Sequence, residues 1–396
     1  MKLQYKILQF YPVFWFYFPT IRLGTIPVRF EDLLCVLIFF SLASFSRIKI
    51  EKSYIYYVAM FSLMLMLILS SSIEYNDNLN LKGVIVGFSF IKYILWFVVA
   101  RQTSVSDSND SFSLVFFSVL KWCFLSQLII IVFQKYDILG FASGPFFQFV
   151  VKFYSIPNIY STSTDIESLI STHMNFSFRP AGTFGSSTVT GLSMYIAGSV
   201  LFLKYKNIAF KVFGYFAALI CFSKIALVAA IFCDFILPMF LKFKLKNLLL
   251  ATVISPFLVV GIYVSMDILG VLHNFYGAID GTDRGVTHRL TVINYMFNMS
   301  VKEWLWGNLG TLPFGFFDSG TLLSIFRYGI VFYFLEYLIF YLLFKKITDE
   351  KLISMCFVFY ILFADLTFGS VFNPVFSSAI FFLLLACATE GLRRKK

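Results

Sequence analysis

Residues 112–134, FSLVFFSVLKWCFLSQLIIIVFQ, form an apolar run in which Lys121 is the only charged residue. Polar residues bound the run on both sides. An α-helix needs about 20 mostly apolar residues to cross the ~30 Å hydrocarbon core of a bilayer. The stretch therefore predicts a membrane-spanning helix.

Similar runs recur from one end of the chain to the other. Of the 396 residues, 59% are hydrophobic and only 13% are charged, against about 25% charged in soluble domains. The pattern predicts an all-α polytopic integral membrane protein, with residues 1–396 as a single membrane domain. About twelve spans are expected, at residues 7–21, 31–46, 53–72, 82–100, 112–134, 188–203, 208–222, 225–241, 248–268, 321–344, 352–368 and 373–391.

The distribution of basic residues predicts how these spans are oriented. More than half of the 32 lysines and arginines fall on alternate connections and on the two ends of the chain. Cytoplasmic loops are enriched in these residues, so both termini are expected in the cytoplasm. Lys2 and Lys6 precede the first run without a small-residue cleavage site, so this run should remain as the first helix. The net charge of +11 therefore indicates membrane topology rather than nucleic-acid binding.

Two connections on the predicted outer face are much longer than the others. They cover residues 135–187 and 269–320, and each has about fifty residues, whereas connections between packed elements usually have fewer than about 15. Loops of this length often carry function. We therefore expect the functional site on the outer face, where we also expect contact with membrane lipids.

The first long loop ends in residues 176–187, FSFRPAGTFGSS. Arg179 precedes a proline, which favours an extended backbone, while Gly182 and Gly185 allow backbone amides to approach a ligand closely. The helix that follows would place its positive dipole end nearby, with Ser186, Ser187 or Thr188 as its N-cap. Lys224 adds a cation in the tight break between two later spans. The segment is either an anion-binding site or a plain turn that re-enters the membrane.

The second long loop contains residues 281–289, GTDRGVTHR. Apolar residues then recur every three or four positions, which predicts a helix at about 288–304 that lies on the membrane surface. Thr287 would cap this helix and place His288 and Arg289 in its first turn, where cations are disfavoured by the helix dipole. An anion nearby would offset that cost. The alternative interpretation is that residues 281–289 form an exposed basic turn that binds no anion.

Four segments follow one another along the chain: FRPAGTFGSS before a span, FSKIALVAAI at the start of another, RLTVINYMFNMSVKEWLWGNLGT, and DSGTLLSIFRYGIVFYFLEY. In this order they resemble the O-antigen polymerase (Wzy) family, within a broader group that includes the O-antigen ligases. The likeness covers roughly residues 175–345. It implies a bacterial inner-membrane, multi-pass glycosyltransferase of lipopolysaccharide biosynthesis. Its substrates would be oligosaccharides linked to undecaprenyl diphosphate at the periplasmic face, and a chain-length regulator protein is a further partner that the resemblance suggests.

We expect chemistry without a metal ion or a cofactor, because no metal-binding or nucleotide-binding motif is evident and a lipid diphosphate donor is already activated. The family's loop arginines, taken to bind substrate, fall here on Arg179, Arg284 and Arg289. Together with Lys224, they are expected to hold the donor diphosphate. The candidates for a general base, in falling order of preference, are Asp318, Asp283 and His288.

Two alternatives remain open at this stage. An O-antigen ligase typically has a histidine where this chain has Asp318, so the aspartate favours a polymerase. A flippase or another transporter would place ionisable residues inside its spans and would have short loops. This chain has few charges within its spans and two long loops, so a polymerase is the preferred prediction.

The chain departs from the family pattern at one pair of residues. A serine-arginine pair often opens a span in the family, but here the pair is Ser223-Lys224, which lacks the planar guanidinium.

Overall fold

A computed structural model describes most of this chain. The described residues are 2–23, 26–34, 91–106, 111–155, 179–241, 284–308, 319–348, 350–368 and 374–389, with single residues at 37, 40, 62, 65, 177, 260 and 264. They are mostly helical, which agrees with the expected fold class. One short two-stranded antiparallel hairpin is the exception.

The elements follow one another along the chain in a simple order. They are α1 (Lys2–Gln9), α2 (Tyr11–Tyr17), β1 (Ile21–Leu23), β2 (Ile26–Val28), α3 (Ile91–Ser106), α4 (Ser111–Lys135), α5 (Pro145–Val150), α6 (Ser187–Tyr205), α7 (Ile208–Ile220), α8 (Lys224–Leu241), α9 (Arg284–Phe297), α10 (Val301–Trp306), α11 (Gly320–Ile347), α12 (Lys351–Phe368) and α13 (Pro374–Ala388). A π-helical turn, Phe232–Ile236, lies within α8, and another, Val151–Ser155, follows α5.

The chain divides into two compact units. The first unit comprises Met1–Arg29, Ser111–Asp283 and Pro374–Ala379, and the second comprises Phe30–Asp110, Arg284–Asn373 and Ile380–Lys396. In the first unit, α4, α6 and α7 pack against one another. In the second unit, α11 packs against both α10 and α12.

The first predicted span, residues 7–21, is not one helix. The helix α2 ends at Tyr17, and Phe18 is extended with φ −87° and ψ 127°, as expected for a residue that precedes a proline. The hairpin follows, pairing Ile21 with Val28. The buried guanidinium of Arg29 donates hydrogen bonds to the carbonyls of Phe14 and Trp15 at 3.2 and 3.1 Å, which satisfies the free C-terminal end of α2.

Other predicted spans coincide with helices to within a few residues, including 112–134, 188–203, 208–222, 225–241, 352–368 and 373–391. The span at 321–344 corresponds to α11, which is interrupted at Gly329. Most of each of the runs at 31–46, 53–72 and 248–268 lies outside the described residues. Two helices of the described chain, Ser111–Lys135 and Lys224–Leu241, are long and apolar enough to cross a membrane. The number of spans and the topology stay predictions.

The amphipathic helix expected at 288–304 is two helices in the structure. It begins earlier, at Arg284, and ends at Phe297, so Thr287 lies inside the helix rather than at its cap. The second helix, α10, begins with a capping box. The Ser300 hydroxyl accepts a hydrogen bond from the Glu303 amide, and the Glu303 carboxylate accepts one from the Ser300 amide. His288 and Arg289 consequently lie beyond the first turn of α9.

Candidate functional site

The turn at residues 179–185, which carries Arg179, is fastened to α4 by two buried glutamines. The Gln134 side chain accepts a hydrogen bond from the Gly182 amide at 2.8 Å and donates to the Gly182 carbonyl at 3.3 Å. The Gln127 carbonyl oxygen accepts from the Thr183 hydroxyl at 3.0 Å. Gly182 has φ +54° and Gly185 φ +73°, a region that favours glycine. Gly182 therefore has a structural role, which differs from the ligand-facing role expected for its amide.

The same turn is joined to the start of α6. The Thr190 hydroxyl donates to the Ala181 carbonyl, and the Phe184 ring packs against Phe16 with ring centroids 5.4 Å apart. Ser186 is the N-cap of α6, as the sequence suggested, but its side chain makes no capping hydrogen bond. Arg179 is exposed at the beginning of this buried turn, so its side chain emerges from a firmly held backbone.

A tight connection between α7 and α8 packs on the first turns of α6. The Ser223 hydroxyl donates to the Thr188 carbonyl at 3.1 Å and accepts from the Ala226 amide at 3.4 Å, which caps α8. A Cβ atom on Gly191 would lie 2.5 Å from the Ser223 Cβ atom. Phe222 has φ +53°, a conformation that is uncommon for a non-glycine residue. This connection is consequently a closely packed, unusual turn.

Three cations converge on the turn Cys221–Phe222–Ser223, which we call the cationic turn. The Lys135 ammonium, at the end of α4, lies 4.6 Å from the centroid of the Phe222 ring. The charge of Arg179 acts on the buried Cys221 thiol. Lys224 is exposed and is the first residue of α8. The structure thus brings together Arg179 and Lys224, two of the predicted diphosphate ligands, and adds Lys135.

The backbone increases the positive potential at the cationic turn. The helix α8 begins at Lys224, and α6 begins at Ser187, close to where Thr188 accepts from Ser223. Each helix N-terminus carries a partial positive charge and unpaired amides. A lysine at the first position of a helix is disfavoured by that dipole. An anion bound here would accept hydrogen bonds from the unpaired amides and would offset the repulsion between the lysine and the dipole. The arrangement suits an oxyanion such as a phosphoryl group.

The loop that follows Lys135 is ordered by Asp137. Its carboxylate accepts hydrogen bonds from the Ser143 hydroxyl at 2.5 Å, the Ala142 amide at 2.7 Å and the Ser143 amide at 3.1 Å. These bonds, the Ser143 hydroxyl foremost, lower the pKa of Asp137 below its usual value. The carboxylate is therefore committed to its own loop.

The other predicted site residues belong to the second unit or to undescribed parts of the chain. Arg284 and Arg289 lie in α9 of the second unit. His288 is half-buried in the same helix. The two aspartates proposed as general bases, Asp283 and Asp318, lie outside the described residues. Among the parts of the chain that are described, no three histidine, cysteine, aspartate or glutamate side chains come together to hold a metal ion.

Sequence reasoning did not select Lys135, Gln127 or Gln134 for the site. The glutamines had a signal, because they are seven residues apart in an otherwise apolar helix and so lie on one face. Lys135 is the first residue of the long loop predicted at 135–187, but its position at the cationic turn depends on how α4 packs on α7. Contacts of that kind are not encoded in hydropathy.

No protein-family model matches this chain, and no curated protein matches it in a sequence search. The resemblance to the O-antigen polymerases accordingly rests on the four segments of sequence. Two of those segments, FRPAGTFGSS and FSKIALVAAI, supply Arg179 and the cationic turn with Lys224. They are separate in sequence and adjacent in the first unit.

Proposed function

We propose that this protein is a bacterial inner-membrane glycosyltransferase of the O-antigen polymerase type. It would transfer a growing glycan from undecaprenyl diphosphate onto a lipid-linked repeat unit at the periplasmic face. The observation that carries the proposal is the convergence of Arg179, Lys135 and Lys224 on the cationic turn. Three cations beside two helix N-termini can offset the two negative charges of a diphosphate diester and the further charge that develops as the sugar leaves.

In the proposed reaction, the protein positions the two substrates and supplies positive charge to the leaving diphosphate. The acceptor hydroxyl oxygen attacks the anomeric carbon, the bond from that carbon to the diphosphate oxygen breaks, and the hydroxyl proton passes to a base. Negative charge develops on the departing diphosphate, so cations placed there stabilise the transition state. Each charge-assisted hydrogen bond contributes about 1.5–3 kcal/mol. Asp318, Asp283 and His288 remain the predicted candidates for the base, and Arg284 and Arg289 remain predicted substrate ligands.

A membrane location is supported by the apolar side chains that the helices expose. On α4, Leu114, Trp122 and Ile129 are 64, 65 and 55% exposed. On α9, Leu290 and Phe297 are 54 and 74% exposed, while Val292 and Met296 on its other side are buried. Exposed apolar surfaces of this size mark contact with lipid or with another protein. On the basis of the lysine and arginine distribution, we also propose that the chain crosses the membrane several times with its long loops in the periplasm.

The decisive experiment is deletion of the gene in its native strain, followed by electrophoresis of the surface polysaccharide. A polymerase defect leaves chains of a single repeat unit, and the wild-type gene should restore the ladder. Arg179→Ala and Lys224→Ala should fail to restore it at normal protein level. Lys345→Ala, which removes an exposed lysine from α11, serves as the matched control. Long polysaccharide in both site variants would exclude the cationic turn as the diphosphate site.

A second candidate function, transport of a lipid-linked oligosaccharide, is favoured by one observation. Glu336 and Asp365 are fully buried in the second unit, and the charge of Asp365 acts on Glu336. The Tyr337 hydroxyl donates to Asp365 at 2.9 Å. Neither carboxylate oxygen of Glu336 has a hydrogen-bond partner in the described chain. Buried ionisable residues in membrane helices often mark ion or proton pathways.

The two candidates give different results in the deletion strain. Loss of a flippase prevents any repeat from reaching the outer surface, whereas loss of a polymerase leaves one repeat attached. Glu336→Gln separates them further. It should abolish export if the buried carboxyl drives transport, and it should leave the polysaccharide ladder intact if the chain is a polymerase that uses the cationic turn.

A further inference from the structure

The helix α11 in the second unit bends sharply at Gly329. This residue has φ 81° and ψ 165°, values that are not helical. In a straight helix, two residues twelve positions apart lie about 18 Å from each other along the axis. The hydroxyl oxygens of Thr321 and Tyr333 are nevertheless 2.9 Å apart. The two halves of α11 are therefore folded toward each other around the break.

A neighbouring backbone segment holds the break in place. A Cβ atom on Gly329 would clash with the Leu305 carbonyl, and one on Gly307 would clash with the Arg327 carbonyl. The Asn308 amide donates to the Phe326 carbonyl at 2.6 Å, which supplies a bond that the interrupted helix lacks. The last turn before the break is consequently fixed from outside.

Two buried polar side chains on that part of the helix have no partner among the described residues. The Ser324 hydroxyl is fully buried and makes no hydrogen bond in the described chain. Arg327 is only 7% exposed, and no hydrogen bond or ion pair of its guanidinium is seen among the residues that the structure describes. Residues three apart on a helix are neighbours on one face. Within the part of the chain that the structure describes, a buried hydroxyl and a buried guanidinium thus lie on one face of the helix without a partner.

Such a buried pair destabilises the folded protein. Buried charges are normally paired, because an unpaired one loses its hydration without compensation. An unpartnered buried hydroxyl carries a smaller cost of the same kind. A ligand that accepts hydrogen bonds and carries negative charge would remove both costs together.

We propose that Ser324 and Arg327 form a phosphoryl-binding site at the bend of α11. The guanidinium offers two parallel donors to two oxygens of the ligand. The serine hydroxyl offers a third donor, which suits the third oxygen of a terminal phosphoryl group better than a carboxylate with only two oxygens. Because the backbone around Arg327 is fixed by residues 305–308, these donors are held in place before the ligand binds.

The residues of this site belong to the second unit and those of the cationic turn to the first, and the proposal does not depend on the chain being a polymerase. Its ligand could be a lipid diphosphate or a soluble phosphate, and the shared chemistry is the phosphoryl group. The test is therefore a binding measurement that needs no enzymatic product.

The full chain is purified in dodecyl maltoside, which carries no phosphate, and its thermal unfolding is followed with added farnesyl diphosphate, inorganic pyrophosphate or glucuronate. Arg327→Met and Ser324→Ala are compared with wild type and with the control Lys345→Ala. We expect the diphosphate probes to raise the melting temperature of wild type and of the control. Each site variant should weaken binding by about tenfold or more.

The melting temperature without ligand separates binding from a structural role. Because both side chains lack partners, Arg327→Met and Ser324→Ala should melt at or above the wild-type temperature in the absence of probe. Lower melting temperatures for both, or unchanged diphosphate binding in both, would overturn the proposal. Stabilisation by glucuronate in place of the diphosphates would overturn the phosphoryl assignment. A response to farnesyl diphosphate alone that is lost in both site variants supports the site and identifies a lipid source, and a response to pyrophosphate that is lost in the same way supports it and includes soluble phosphates.

Discussion

The Lys135 ammonium nitrogen lies 4.6 Å from the centroid of the Phe222 ring, although the two residues are 87 positions apart in the chain. This cation–π contact joins the end of α4 to the turn before α8. Because Phe222 is the middle residue of the cationic turn, the lysine adds its charge to that turn.

Replacing Lys135 by methionine should lower polymer formation by about tenfold or more, since one charge-assisted contact to the diphosphate would be lost. Lys121→Met is the matched control, because Lys121 lies on the same helix and its ammonium is 5.5 Å from the centroid of the Trp122 ring. The polysaccharide ladder is measured at equal protein abundance. Equal losses in the two variants would show that Lys135 has no specific role at the turn.

Gln134, one of the two buried glutamines of α4, gives a prediction about stability. Gln134→Leu should reduce the free energy of unfolding by about 1–3 kcal/mol, because the amide and the carbonyl of buried Gly182 would lose their partners. Gln148→Leu, which changes an exposed glutamine of α5, should have little effect. Thermal unfolding of the purified proteins in detergent measures both. A stable Gln134→Leu protein would mean that the turn carrying Arg179 is held by other contacts.

The positions of the helices were largely predictable from apolar runs, because hydropathy reports which segments leave water. Helices α4, α6 and α7 each begin and end within two residues of the expected bounds. The contacts between elements were not predictable in the same way. The hairpin after Tyr17 depends on Pro19 and on Arg29 reaching back to α2, which a hydropathy reading overlooks.

The same limit explains what was missed at the site. Arg179 and Lys224 could be selected because each is a cation in a polar break beside a predicted span. Gln134 was overlooked because a single amide in an apolar helix has little effect on hydropathy. The break in α11 was also missed, since Gly329 alone does not interrupt a helix. Contact with the backbone at Leu305, which a Cβ atom would obstruct, gives that glycine its role.

Two glycines with positive φ should respond differently to alanine. Gly329 has φ +81° and Gly140 has φ +71°, so alanine is strained at either position, and at Gly329 the ψ of 165° lies in a region that is essentially confined to glycine. At Gly329 the added Cβ atom would also clash with the Leu305 carbonyl, whereas nothing lies within 4 Å of a Cβ atom at Gly140. Gly329→Ala should therefore reduce the yield of folded protein in size-exclusion chromatography, and Gly140→Ala should not. Equal yields would contradict the backbone crossing at residues 305–308.

The loop after α4 should depend on pH through Asp137. Its pKa is lowered in the folded protein, so the carboxylate stabilises the loop fully above the ordinary aspartate pKa of about 4. That contribution is lost as the pH falls through the lower folded value. Hydrogen exchange at the Ala142 and Ser143 amides, corrected for intrinsic rates, should accelerate over that range. Asp137→Asn should show the faster exchange already at neutral pH, and protection equal to wild type would contradict the assigned hydrogen bonds.

Lys224 allows charge to be separated from geometry at the cationic turn. Lys224→Arg keeps the charge and restores the serine-arginine pair that is frequent in the resembled family, so it should retain polymer formation. Lys224→Gln keeps most of the side-chain length without the charge, and it should lower polymer formation by about tenfold or more if the residue neutralises a diphosphate. Because Lys224 is exposed, neither change should affect the melting temperature. Equal activity of the arginine and glutamine variants would exclude a role for the charge, and the diphosphate would then have to be held by Arg179 and Lys135.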